Sequence, residues 1–105
     1  MFDEESSRIR KQQKFLQDVE QAIAQANRQA IHARIATLDR ASFVAFATRV
    51  AELRAGYLEA ALAASIGGDF SALPSHRVAF EEAKAAFAAL ERAIERGYVD
   101  IDGAG

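Results

Sequence analysis

Apolar residues recur at helical spacing from Ile9 through Leu16, Val19, Ile23, Ala26, Ala30 and Ile31 to Ile35, and neither Gly nor Pro interrupts the chain between Met1 and Gly56. That period predicts a first helix over about residues 3–37. Its apolar positions fall on heptads, with Ile9, Leu16, Ile23 and Ala30 in one row, Val19, Ala26 and Ala33 in the next, and Phe15 and Ala22 alongside. Asp3, Glu4 and Glu5 open this helix with carboxylates, which offset the positive end of its dipole. Gln12 and Gln13 interrupt the second row near the start, as expected of a wetter portion.

A second segment, over about 40–66, brings Phe43, Phe46, Ala47, Val50, Leu53, Tyr57, Ala61 and Leu62 to one face. The break before it rests on Asp39 as N-cap with Ser42 in the same turn. The alternative is one continuous helix of roughly 60 residues that could only pair with a second chain. Gly67-Gly68 ends the segment. A third helix over about 75–96 follows Pro74, with Ser75 as N-cap and a heptad of Phe80, Ala83, Phe87, Leu90 and Ile94 stopping at Gly97. Between them, Phe70 and Leu73 are expected to fold down over the open end of the bundle. The apolar tail Tyr98-Val99-Asp100-Ile101 is expected to pack near the first interhelical turn.

The pattern therefore predicts an all-α fold, an antiparallel three-helix bundle in a single domain over residues 1–105, with a long first helix. Composition agrees, because half of the residues are hydrophobic and many of these are Ala, which favours helices and lets them approach closely. Rods of these lengths span about 50, 38 and 33 Å, so one end of the first should project beyond its own bundle. That end carries Phe2, Ile9 and Phe15 beside Arg8, Arg10, Lys11 and Lys14. Burying each large apolar side chain is worth about 1.5–3 kcal/mol, which makes this end the expected docking surface, for a second copy or for another protein. Gly56 lies inside the second helix at a cost of about 1 kcal/mol relative to Ala. With Ala60 and Ala63 it forms a stripe of small residues, expected to seat a close helical neighbour.

Candidate chemistry is sparse. With no Cys there is neither a disulfide framework nor a thiolate site. His32 shares the solvated side with Gln25, Arg28 and Gln29, and neither it nor His76 has a metal-binding companion at helical spacing. The serines occupy no nucleophile elbow, and the glycines belong to no phosphate loop. No enzyme activity, cofactor or metal is expected. A pocket for a small apolar ligand among Phe46, Tyr57, Phe80 and Phe87 is a further, weaker reading.

Net charge is −2, but residues 6–40 hold seven basic residues against Asp18, Glu20 and Asp39, and the remainder is acidic. Complementary pairing of the first helix with the third, in this chain or in a second copy, accounts for that asymmetry. The cations at Arg8, Arg10, Lys11 and Lys14 could alternatively contact nucleic acid, although Asp3-Glu4-Glu5 adjoins them and nothing nearby reads bases. No apolar run reaches the length of a bilayer span, and the acidic start is unlike a signal peptide, so a cytoplasmic location is expected. Arg in excess of Lys together with abundant Ala suggests a high-GC bacterial source.

Overall fold

The computed structural model describes residues 2–102, apart from the side chain of Phe2. Three helices account for nearly all of them: α1 (Phe2–Arg34), α2 (Arg40–Gly67) and α3 (Leu73–Glu95). Among the described residues there is no strand.

The best-packed unit is the pair α2–α3. Phe43 stacks on Phe87 at 5.0 Å between ring centroids, Phe46 meets the same ring edge-on at 5.3 Å, and Tyr57 lies 6.1 Å from Phe80. Higher positions on α2 thus meet lower positions on α3. Arg54 adds its guanidinium 5.0 Å from the Phe80 centroid. The predicted rows of α2 and α3 face one another with one exception: Leu62 is 68 % exposed.

The first break forms where Asp39 and Ser42 place it. Asp39 is extended, with φ −96° and ψ 162°, and its carboxylate accepts the Ser42 N–H at 2.7 Å. Sequence alone places the end of α1 three residues later than its actual end at Arg34. The reason is tertiary. Leu38 N–H donates to the Asp100 carbonyl at 2.8 Å, and Asp102 N–H donates to the Leu38 carbonyl at 2.9 Å, so the tail after α3 holds this segment extended. Val99 beside it is, among the described residues, one of three buried apolar residues, with Val50 and Ala64.

The helix stops behave as their glycines dictate. Gly68 at φ 80° closes α2 with its N–H on the Ala64 carbonyl. Gly97 at φ 75° ends α3, with Tyr98 N–H reaching back to the Ala93 carbonyl at 2.9 Å. The start of α3 differs from expectation. It begins at Leu73 with Pro74 inside its first turn, and Ser75 donates its hydroxyl to the Ala72 carbonyl instead of capping the helix. Proline is tolerated there because first-turn N–H groups lack intrahelical partners anyway. Phe70 does not close the bundle end; it remains half exposed, while Leu73 is partly covered.

The main departure concerns α1. A helix of 33 residues spans about 50 Å, and its backbone nowhere packs closely against α2 or α3; only α2 and α3 approach one another along their lengths. Its C-terminal half is tied instead at the tail, through Arg28 Nε donating to the Gly97 carbonyl at 3.1 Å and His32 Nδ1 lying 3.3 Å from Asp100 Oδ2. The molecule measures 74 × 39 × 22 Å, with a radius of gyration of 22.0 Å, whereas a compact chain of this size has about 13 Å.

Candidate interaction surface

With α1 held, among the described residues, only at its C-terminal end, its apolar stripe is wet. Ile9, Phe15, Leu16 and Ile23 are each roughly half or more exposed, and among the described residues of α1 only Ser6, Val19, Ala24, Asn27 and Ile31 are partly covered. The expectation that only the tip of α1 overhangs its bundle is therefore corrected: the heptad face is open from Ile9 to Ile23 apart from partial cover at Val19. Ile9 and Phe15 lie on this face as predicted. The side chain of Phe2, named with them, lies outside the described residues.

The cations Arg8, Arg10, Lys11 and Lys14 are all exposed on the same half of α1. On the heptad, Arg10, Lys11 and Lys14 occupy positions away from the apolar rows, and Lys14 pairs loosely with Asp18 at 3.9 Å. The expected charge pairing of α1 with α3 takes another form. Arg28 and His32 bind the backbone and carboxylate of the tail, and among the described residues no glutamate of α3 pairs with α1.

Gly56 and Ala60 are partly covered and Ala63 is exposed. A Cβ built on Gly56 would meet nothing within 4 Å, so no helix of this chain uses the close approach that a glycine permits. The small-residue stripe on α2 and the apolar end of α1 are not brought together.

A further apolar surface, outside the predicted ones, lies elsewhere on α2. Val44, Leu58, Leu62 and Ile66 are all half or more exposed, and Ile66 reaches 89 %. With Ala51 and Ala55 they recur at spacings of seven, four and three, so α2 carries two apolar faces, one covered by α3 and one open. The signal was legible: a helix apolar on both sides has almost no amphipathic bias, and assigning all its apolar residues to one core hides the second face.

Between the C-terminal half of α1 and the outer side of α3 runs an open cleft of about 740 Å³, walled by Ile23 and Ile31 on one side and by Ala85, Ala89 and Tyr98 on the other. Its small-residue wall leaves room for a bulky occupant. The four rings considered as a ligand pocket pair with one another across α2 and α3, so they fill the space they were expected to enclose. Among the described residues, no group of three or more His, Asp or Glu is arranged to hold a metal ion. No described helix is long and apolar enough to cross a membrane.

Two carboxylates are shifted, both by local capping. The Ser42 backbone N–H, helped by its hydroxyl, holds Asp39 below the ordinary carboxylate value, and Ser71 does the same for Asp69 in the α2–α3 loop. Both are structural caps in exposed turns and lie away from the α1 stripe. Comparison with known proteins supplies no kinship, since no protein-family model, no curated protein and no solved structure matches the chain.

Proposed function

We propose that this chain is a non-catalytic protein–protein interaction module that works by presenting α1 to a partner, a second copy or a larger protein. The observation that carries the reading is surface area. The chain exposes 8298 Å², whereas a compact monomer of its mass exposes about 5,800 Å². The excess, roughly 2,500 Å², is more than the 600–1,000 Å² per partner that a stable complex removes from water. Much of it is apolar and arranged in heptad rows, the pattern that helices use to pack on other helices. In this reading the antiparallel bundle expected from sequence is completed between chains, with α1 as the contributed rod.

Light scattering at micromolar concentration tests self-association, with a dimer expected. Removing residues 1–12 deletes Ile9 and should weaken association at least tenfold while leaving the α2–α3 pair helical by circular dichroism. Hydrogen exchange supplies the decisive measurement. An uncovered helix frays, so in an isolated monomer the amides of residues 3–22 should exchange far faster than those of α2 and α3. A monomer in which α1 is protected as well as α2 would mean that the stripe needs no cover, and the reading would fail.

Nucleic-acid binding by Arg8, Arg10, Lys11 and Lys14 is the weaker alternative. It predicts retention on DNA or RNA that falls steeply with salt.

A further inference from the structure

We infer that the occupant of the α1 stripe is α1 of a second copy, running antiparallel, with Ile9 of one chain opposite Ala33 of the other. This rests on the interaction-module reading above and deepens it by naming the partner and its register.

The first argument is a gradient of size. Along the two apolar rows the side chains run Ile9, Leu16, Val19 and Ile23, then Ala26, Ala30 and Ala33. A parallel pair would set Leu16 against Leu16 and stack alanine on alanine over the last two heptads, leaving that end unfilled. Reversing one helix sets large against small in two layers, Ile9 with Ala33 and Leu16 with Ala26, places Val19 with Ile23 on both sides of the axis, and leaves Ala30 against Gln12. Phe15, beside the rows, then lies over Ala22 or Gln29. Close packing of unequal side chains is what fills a helix interface to native density.

The second argument is charge. The first turn of α1 holds Asp3, Glu4 and Glu5, and its last turn holds His32 and Arg34. In this register Arg8 and Arg10 lie level with Arg34 and His32 of the second copy and the acidic first turn reaches past the end of its α1, so what the antiparallel arrangement gains is the opposition of the two helix dipoles. Of the eight flanking positions, four carry Gln13, Ala22, Asn27 and Gln29, and the others Arg8, Phe15, Glu20 and Arg34. The cost includes a like-charged pair, because Glu20 lies next to its own symmetry mate near the two-fold axis. Arg10, Lys11 and Lys14 remain outside the interface.

The third argument is area and room. The stripe from Ile9 to Ala33 is about 36 Å long, is exposed over most of its length, and borders the open cleft of about 740 Å³ beside α3. A helix laid along the stripe would have α3 on its flank, so the second copy would gain contacts beyond the helix pair itself.

Because the chain lacks cysteine, single-cysteine variants give an unambiguous test. In the proposed register Ala22 sits beside Ala22 of the second copy, offset by about 3 Å along the axis. Ala26 is opposite Leu16 and so about 15 Å from its mate, beyond the roughly 7 Å that a disulfide spans between Cα atoms. Mild oxidation of the full chain should convert most of Ala22→Cys to a covalent dimer on a non-reducing gel and leave Ala26→Cys unlinked. Helical content by circular dichroism establishes that both variants are folded. Linkage of Ala26→Cys in place of Ala22→Cys would overturn the antiparallel register in favour of a parallel pair. Linkage of neither, in a chain that light scattering shows to be dimeric, would move the interface off α1. A monomer by light scattering would overturn the second copy as occupant; the broader module reading falls only to the exchange result given above.

Discussion

Asp39 shows how much structure a single short side chain carries. Its carboxylate takes the Ser42 N–H at 2.7 Å, supplying the N-cap of α2, and that bond holds its pKa below the ordinary value. The sign of the pH effect follows. A depressed folded-state pKa contributes stability that is fully present above the unfolded value and is lost as pH falls through the folded one. Asp39→Asn, which can still accept the hydrogen bond, should therefore flatten the loss of stability below about pH 4, and Asp69→Asn should flatten it further. Asp39→Ala should lower the melting temperature at pH 7 by a few degrees. Thermal scans followed by circular dichroism from pH 2.5 to 7 check both. This cap was readable in the sequence because Asx capping is local, involving Asp39 and a donor three residues on. The supposed cap at Ser75 was not, because Pro74 tolerates inclusion in the helix and the chain enters α3 two residues earlier.

At the scale of the element, α2 and α3 were largely legible and α1 was not, for one reason. Periodicity reports which face of a helix is apolar, not which neighbour covers it. The α3 row from Phe80 to Ile94 found α2 within the chain, whereas the α1 row found no close neighbour. The second face of α2 was concealed because Leu62 continues either row at an acceptable spacing. Gly56 offers a clean measurement of what the free chain lacks. With space open around it, Gly56→Ala should stabilise the isolated helix pair by up to about 1 kcal/mol in urea denaturation. A larger residue there that instead destabilises the assembled protein would place a close neighbour from another chain on the small-residue stripe.

At the scale of the molecule, length mismatch was the feature that sequence conveyed best, and its extent was understated. The rod lengths predict a projecting tip; the molecule projects most of a 33-residue helix, because among the described residues α1 is anchored at its far end, in Arg28, His32 and the Leu38 pairing with the tail. That anchor has a further consequence. No Gly or Pro separates α1 from α2, so apart from the Asp39 cap the bend is imposed by a strand of chain more than sixty positions downstream. The tail is a latch on a hinge that helix propensity alone would straighten. Cutting after Gly97 should release it, and residues 2–67 would then be free to fuse into a single rod of about 100 Å. Small-angle scattering would register the change as a longer maximum dimension with undiminished helicity.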